Sequence, residues 1–163
     1  MTRRVLTVVE RRSSIPAPAD EVWARVTTPA GINDELMPVM RMTIPRQLRG
    51  ATIDDIPLGR PVGRAWLLLF GVLPFDADQL MIIERGPGSF HESSTMLSLR
   101  RWEHERTVAP SDDGTEIHDR FSFQLRAPLA AIPGSARALS AALAALLAHR
   151  HRRLHRFFAR PHQ

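Results

Sequence analysis

Short segments in which apolar and polar residues alternate occupy the beginning and most of the middle of the chain. This alternation sends successive side chains to opposite faces, so it predicts β-strands rather than helices. Proline and glycine residues separate the segments, as expected for turns. The clearest turn, at residues 111–114, reads Ser-Asp-Asp-Gly and predicts a hairpin. The predicted strands are residues 5–15, 39–44, 64–73, 76–84, 90–99, 100–109 and 115–126, with 90–109 forming either one long strand or two short ones.

Three segments favour helices instead. After Pro18, the acidic Asp20 and Glu21 suit the first turn of a helix, because the helix dipole stabilises negative charge there. A second, short helix is predicted over residues 32–37, before a proline. The longest helix, about residues 135–160, is rich in Ala, Leu and Arg. Its apolar residues recur at helical spacing and form one stripe, made of Leu139, Leu143, Leu146, Leu147, Leu154 and Phe157.

The order of these elements predicts the fold class. One strand and two short helices come first, then a run of strands, then the long C-terminal helix. Segregated strands and helices are typical of α+β proteins, in which an antiparallel sheet packs against helices on one face. We therefore expect a single domain over residues 1–163, with a curved antiparallel sheet that wraps around the C-terminal helix.

Five short segments give the chain a family resemblance. The segment IPAPADEVW at 15–23 resembles the entry into the first helix of the START-like, polyketide cyclase/dehydrase (SRPBCC) superfamily. One bacterial subgroup of that superfamily is similar at WEHER (102–106), DGT (113–115), DRF (119–121) and HRHRRL (149–154). The resemblance implies the helix-grip fold and a cavity between sheet and C-terminal helix. It names neither ligand nor reaction, because members include lipid carriers, receptors, aromatase/cyclases and hydrolases.

Composition narrows the function classes further. The chain has 163 residues, 44% hydrophobic and 24% charged, and it contains no cysteine. The missing cysteines exclude disulfides, thiolate metal sites and cysteine nucleophiles. The longest apolar run is far too short to span a membrane, and the N-terminus does not resemble a signal peptide, so we expect a cytoplasmic protein. The chain contains arginine but no lysine, a bias typical of a GC-rich bacterial genome. Its net charge is +5, and nucleic-acid binding is not expected.

One carboxylate is predicted to point into the protein. Asp119 shares a strand face with Ile117, Phe121 and Phe123, while the alternate positions are mostly charged or polar. A buried carboxylate needs a partner. On the long helix, Arg150 lies within the apolar stripe and is expected to face the sheet, so we predict that it pairs with Asp119 or another inward carboxylate such as Glu84. Such a pair would either lock helix to sheet or anchor the head group of a ligand.

Neighbouring strand positions complete a candidate site. Trp102, His104, Arg106 and Val108 share one face, which we expect to be the inner one, so His104 and Arg106 are further possible partners of Asp119. Trp66 lies on a strand that is apolar on both faces, and its direction stays open. The candidates for acid–base catalysis are His104 and Asp119. The predicted ligand-binding residues are Trp66, Trp102, His104, Asp119, Phe121, Phe123 and Arg150.

Other chemistry has weak support in the sequence. His151 and His155 have a spacing that can bind zinc on a helix, but neither a third histidine nor a carboxylate accompanies them. There is no Gly-x-Ser-x-Gly nucleophile motif, and Gly86-Pro87-Gly88 is a turn rather than a phosphate-binding loop. We therefore expect neither a metal nor a cofactor.

Three hypotheses follow. The first is a binding module that holds a small hydrophobic ligand, lipid or polyketide-like, between the sheet and the C-terminal helix, without catalysis. The second is an aromatase/cyclase-type enzyme that uses acid–base groups in the same cavity. The third and weakest is binding of nucleic acid or a membrane surface through the arginine-rich segment 149–160. The sequence leaves the oligomeric state open.

Overall fold

The computed structural model describes residues 6–160, which form eight strands and three α-helices. Short 3₁₀ turns cover Arg46–Leu48, Ile53–Asp55 and Leu129–Ala131. The helices are α1 (Ala19–Val26), α2 (Pro29–Leu36) and α3 (Ser135–Ala159). The strands are β1 (Thr7–Ile15), β2 (Met40–Met42), β3 (Arg64–Leu69), β4 (Leu73–Gln79), β5 (Ile82–Gly86), β6 (Ser89–Met96), β7 (Leu99–Ser111) and β8 (Gly114–Leu125).

All the strands belong to one antiparallel sheet. Its order is β1-β8-β7-β6-β4-β3-β2, and β5 pairs with β6 outside this order. The sheet curls around α3, so the predicted α+β helix-grip fold is confirmed. The core lies between the inner face of the sheet and the helices. It consists of three groups of buried side chains, centred on Ile117 and Leu154, on Phe121 and Leu147, and on Ile82 and Phe90.

A tight connection places α2 directly after α1. The Thr28 hydroxyl accepts a hydrogen bond from the Gly31 backbone N–H at 3.1 Å, which caps the helix, and Pro29 suits its first turn. Gly31 lies against the end of α1, where an added Cβ would come within 1.8 Å of the Arg25 carbonyl oxygen. The missing side chain therefore allows the sharp turn, and the turn points the far end of α2 toward the interior of the molecule.

The long helix is buried over only part of its length. The buried residues of α3 are Leu147, Arg150, His151 and Leu154, all in its second half. Leu139, Leu143 and Leu146 in the first half are only partly buried, although they belong to the same stripe. The predicted inward direction of the stripe is therefore correct. Along the first half, this stripe faces an open space rather than packed side chains.

Several element boundaries differ from the predictions. The hairpin at 111–114 is confirmed, and residues 90–109 contain two strands. Residues 76–84, predicted as one strand, belong to two, because Leu80 and Met81 lie between β4 and β5. Residues 64–73, also predicted as one strand, are divided as well: β3 ends at Leu69, Phe70 and Gly71 turn the chain at positive φ, and β4 begins at Leu73. Helix α2 begins before the predicted residue 32, since Thr28 caps it from outside. Val5 of the predicted first strand lies outside the described residues. Within the part of the chain that is described, no helix combines the length and the apolar character needed to cross a membrane.

Candidate functional site

A cavity of about 770 Å³ lies between the curved sheet, α2 and the first half of α3. Its size is within the range of small-molecule sites. Val39, Phe75 and Leu129 line it and are 37%, 49% and 39% exposed, so they mark its opening to solvent. Most of the wall is apolar, with side chains from the sheet and from α3 facing each other, including Ala65, Leu67, Trp102, Phe121, Leu139, Ala142, Leu143 and Leu146.

A fully buried carboxylate organises the inner end of this cavity. Asp119 on β8 accepts hydrogen bonds at Oδ1 from His104 Nε2 (2.6 Å) and Arg106 Nε (2.7 Å). Its Oδ2 accepts from Arg106 Nη2 (2.8 Å) and from His151 Nε2 (2.7 Å). The cross-strand register explains two of these contacts, because Arg106 on β7 lies directly opposite Asp119 on β8. The third partner, His151, comes from α3.

A second buried carboxylate joins the same network from α2. Glu35 accepts hydrogen bonds from Arg106 Nη1 at 2.9 Å and Nη2 at 2.8 Å, and from Arg150 Nε at 3.0 Å. Arg106 therefore bridges two carboxylates, one on the sheet and one on a helix. Both Arg106 and Glu35 are 1% exposed. The geometry is that of the bidentate guanidinium–carboxylate pair, which fixes both orientation and distance.

The charged states of these groups follow from their neighbours. Burial alone would raise the pKa of Asp119, but Arg106 and the hydrogen bonds from His104 and His151 hold it well below its ordinary value. Burial likewise opposes ionisation of Glu35, but Arg106 and Arg150 lower its pKa. Burial lowers the pKa of His104, against the opposing effect of Asp119. His104 is therefore neutral at pH 7 and donates its Nε2 proton to Asp119.

The arginines and carboxylates of the network are equal in number. Two arginines, Arg106 and Arg150, face two carboxylates, Glu35 and Asp119, and the neutral His104 adds no charge. Arg106, Arg150 and His104 also line the cavity. The inner end of the cavity thus presents a rigid polar wall with ring and guanidinium groups, of the kind that orients a ligand among apolar contacts.

The structure separates the predicted ligand-binding residues into two sets. Trp102, His104, Phe121 and Arg150 line the cavity. Trp66 does not: Ala65, Leu67 and Leu69 take the inner face of β3, so Trp66 lies on the outer face and is 41% exposed. The other two are buried away from the cavity surface. Asp119 lies behind His104 and Arg106, and Phe123 packs in the core beside Trp102.

The predicted partner of Arg150 is corrected. Arg150 is 6% exposed and faces the interior, as its place in the apolar stripe indicates, but it pairs with Glu35 rather than Asp119. Glu84, the suggested substitute, is exposed. The helical position next to Arg150 supplies the contact to Asp119 instead, through His151. His104 and Arg106 are confirmed as partners of Asp119.

Sequence reasoning missed Glu35 and the second polar patch of the cavity. Glu35 lies on a helix too short for its periodicity to show which face is buried. The patch contains Asp76, Asp78 and Glu92, which line the cavity from β4 and β6. A signal for it is present in β6, where Phe90, Glu92, Ser94 and Met96 alternate with more exposed positions. An acidic residue at an inward position of such a pattern is the same kind of signal that identified Asp119.

The two histidines at zinc-like spacing do not converge. Both ring nitrogens of His151 are engaged, Nδ1 with Ser13 Oγ at 2.7 Å and Nε2 with Asp119 at 2.7 Å. His155, one turn later, is exposed. His151 is thus a link between α3, β1 and β8 rather than half of a metal site.

A different group of potential metal ligands lies on the outer face of the sheet. Among the described residues, His91, Glu103 and Glu105 bring their ligand atoms within 4.8 Å of one another. Arg101 and Arg120 pair with the two carboxylates. These arginines neutralise the negative charge that would attract a cation, so the group fits an ion-pair network on the sheet surface.

The curved sheet and the long C-terminal helix give the chain a START-like helix-grip fold. A family model described as "Domain of unknown function (DUF8410)" matches residues 13–158, and the chain belongs to that family. No curated protein matches the chain significantly.

Solved structures with the same fold are distant in sequence. A START superfamily protein from Mycobacterium smegmatis matches with a TM-score of 0.66 and 13% identity over 93% of this chain and 96% of that one. Protein CV1439 from Chromobacterium violaceum matches with a TM-score of 0.63 and 15% identity, over 91% and 97% of the two chains. The di-domain ARO/CYC StfQ from the steffimycin biosynthetic pathway matches with a TM-score of 0.68 and 11% identity, over 96% of this chain and 51% of StfQ. At these identities the likeness establishes the fold.

Proposed function

We propose that this protein binds a small apolar molecule, lipid-like or polyketide-like, in the cavity between the sheet and α3. One observation carries the proposal: the cavity has a volume of about 770 Å³ and is lined mainly by apolar side chains. A well-packed core leaves no void of that size, whereas ligand pockets are both this large and this apolar. The fold shared with a START superfamily protein supports the same conclusion.

The polar end of the cavity would set the orientation of the ligand. Trp102 and Phe121 form an aromatic wall, with ring centroids 4.7 Å apart, against which an apolar ring or chain can pack. His104, Arg106 and Arg150 lie at the inner end and can hold a polar group of the ligand. Asp119 acts through His104 and Arg106, which it holds in place, and is a positioning residue.

The test is a titration with Nile red, a neutral apolar fluorophore. We expect binding at micromolar concentration, an increase in dye fluorescence, and a change in Trp102 emission that disappears in Trp102→Phe. Two matched variants of α3 locate the site. Both alanines are exposed, but Ala142 lines the cavity and Ala145 does not, so Ala142→Trp should abolish dye binding and Ala145→Trp should preserve it.

The proposal fails if Nile red does not bind to the folded protein. It also fails if Ala142→Trp binds the dye as well as Ala145→Trp does, because the dye would then occupy a different surface.

A second candidate function, an aromatase/cyclase-type enzyme, is favoured by one observation: His104 and the carboxyl group of Asp78 line the same cavity. A histidine and a buried carboxyl with one oxygen free of hydrogen bonds are groups that general acid–base catalysis uses. Asp119 does not suit this role, since its carboxylate is saturated by three side chains.

The test of the enzyme hypothesis is the conversion of a poly-β-keto thioester mimic to an aromatic product, followed by absorbance. A rate that His104→Gln lowers would support the enzyme, and no acceleration over buffer would reject it.

The arginine-rich segment 149–160 supports nucleic-acid or membrane binding less well. Arg150 points inward to Glu35, and Arg153 pairs with Asp34 at 3.0 Å. His149 and His151 contact the Met37 carbonyl and Asp119. Much of the basic character of this segment is thus used to attach α3 to the rest of the molecule.

A further inference from the structure

The second polar patch of the cavity consists of three carboxyl groups on the sheet. Asp76, Asp78 and Glu92 are 4%, 3% and 7% exposed, and all three line the cavity. Asp76 accepts hydrogen bonds from the backbone N–H and the hydroxyl of Ser98, and Glu92 accepts one from Ser94 Oγ at 2.9 Å. Asp78 Oδ1 is buried and has no hydrogen-bond partner among the described residues. An unpartnered buried carboxyl oxygen is costly, so this atom marks a place where a partner is missing.

This patch differs from the inner end of the cavity in its charge. There, Arg106 and Arg150 balance Glu35 and Asp119. None of the ion pairs found within residues 6–160 involves Asp76, Asp78 or Glu92. His104, opposite Glu92 in the strand register, already donates to Asp119. The patch is therefore a cluster of carboxyl groups without a cationic partner among the described residues.

The spacing of the carboxyl groups argues against a metal ion. Within the described part of the chain, they do not form a group whose ligand atoms all lie within 4.8 Å of one another. A divalent cation needs oxygen ligands that converge at 2.0–2.6 Å. An alkylammonium group is different, because it has up to three N–H donors that point in different directions. It can therefore bind carboxyl oxygens that do not converge on one point.

We propose that the ligand of this cavity carries a protonated amine, which Asp78 and Glu92 bind while its apolar part packs against Trp102, Leu67 and α3. The inference rests on the proposed ligand-binding function and specifies the chemical class of the ligand: an apolar amine. Desolvated carboxylates bind an ammonium group through charge-assisted hydrogen bonds, and the ammonium supplies both the missing donor for Asp78 Oδ1 and the missing positive charge. A neutral hydroxyl group supplies only the donor.

The surroundings of Asp78 agree with this proposal. Burial, together with the carboxylate of Glu92, raises the pKa of Asp78 well above its ordinary value, against a smaller opposing effect of Ser94. Asp78 therefore keeps its proton to a higher pH than an ordinary aspartate, and a bound ammonium ion would favour the loss of that proton. Amine binding should then release protons, and the measured binding enthalpy should differ between phosphate and Tris buffers.

The test compares three probes with the same ten-carbon chain, decylamine, 1-decanol and decanoate, by titration calorimetry at pH 7. Because hydrogen bonds to charged groups contribute about 1.5–3 kcal/mol, we expect decylamine to bind at least about tenfold more tightly than decanol. Decanoate should bind most weakly. Asp78→Asn and Glu92→Gln should each remove most of the preference for decylamine over decanol. Asp113→Asn, on the exposed hairpin turn, is the control.

The stability of the variants provides a check on folding. Asp78→Asn removes a buried carboxyl without a full set of partners, so we expect it to melt at a higher temperature than the wild type. Glu92→Gln gives the second, independent measurement if Asp78→Asn does not fold.

The outcomes separate this inference from the proposed function. If Nile red and decanol bind but decylamine binds no more tightly than decanol, or if the amine preference survives in both variants, the amine inference is wrong and the apolar site stands. If neither Nile red nor any of the ten-carbon probes binds, both proposals are wrong.

Discussion

Arg106 links parts of the molecule that are far apart in sequence. Its guanidinium binds Asp119 on β8 and Glu35 on α2, and the Glu35 contact spans 71 residues. Burial opposes its charge, but the two carboxylates raise its pKa above the ordinary value, so it is permanently cationic. The same residue that holds α2 against the sheet thus also forms part of the cavity wall.

At the residue scale, Arg106→Met should destabilise the protein strongly. Methionine is of similar length but leaves Glu35 and Asp119 without their main cation. Breaking a buried ion pair from one side costs about 3–5 kcal/mol, and here two carboxylates lose a partner. The free energy of unfolding from urea denaturation measures the effect. Arg120→Met on the neighbouring strand, in a partly exposed pair with Glu105, should cost less than about 1 kcal/mol. Equal losses in the two variants would show that the buried network does not stabilise the fold.

Strand alternation is sufficient to predict the inward residues but not their partners. It identifies Asp119, His104 and Arg106 as inward, because each faces the same side as apolar neighbours. It does not identify Glu35, whose position depends on how α2 turns after Gly31. Nor does it choose between adjacent helical residues: Arg150 and His151 both face the sheet, and only the packing of α3 assigns Glu35 to one and Asp119 to the other.

At the scale of elements, α3 is attached to the rest of the molecule by side chains of three other elements, α2, β1 and β8. Arg150 binds Glu35 on α2, and His151 binds Asp119 on β8 and Ser13 on β1. All of these contacts come from the second half of the helix, where Leu147 and Leu154 are also buried. The position of α3 over the cavity thus depends on a short region of the helix.

Arg150→Ala should therefore destabilise the protein much more than Arg152→Ala. Both substitutions make the same change on the same helix, but Arg150 is 6% exposed and bound to Glu35, whereas Arg152 is exposed. Leaving Glu35 with one cation should cost about 3 kcal/mol, at the low end for buried pairs because Arg106 remains. Thermal melting of the two variants gives the comparison. If Arg150→Ala and Arg152→Ala have the same melting temperature, the contact between Arg150 and Glu35 contributes little to stability.

The order of the elements follows from the sequence more completely than their ends. The order of the strands, the hairpin at 111–114 and the long helix are predicted correctly because hydrophobic period and turn residues act locally. The divisions between β3 and β4 and between β4 and β5 are not predicted, because the apolar pattern continues through residues 70–72 and 80–81. The structure shows both segments pairing with one strand: β6 pairs with β4 at Thr95 and Met96 and with β5 from Glu92 to Ser89.

At the scale of the whole molecule, the buried network makes stability depend on pH. The pKa of His104 is lowered below 6.5 in the folded state, so between that lowered value and 6.5 the unfolded chain binds more protons. Stability therefore falls as pH decreases through this window. The pKa of Asp119 lies well below 3.8, so its contribution is present above about pH 4 and is lost at lower pH.

We accordingly expect His104→Gln to reduce the loss of stability between pH 7 and pH 5. Glutamine retains an N–H donor for Asp119 but does not titrate. The measurement is the free energy of unfolding from urea denaturation at pH 7, 6 and 5, with the exposed His155→Gln as control. A pH dependence identical to that of the wild type would show that His104 titrates in the same way in the folded and unfolded states.

The uneven burial of α3 has a consequence for how a ligand reaches a cavity with walls on both sides. Local opening of a helix requires little free energy where few side chains are buried, and more where they are. Backbone amides of residues 139–146 should therefore exchange with deuterium faster than those of residues 147–154. The first half of α3 can then separate briefly from the sheet while the second half stays in place. Nile red should slow exchange mainly in residues 139–146, because a bound molecule supplies the packing that this half of the helix lacks.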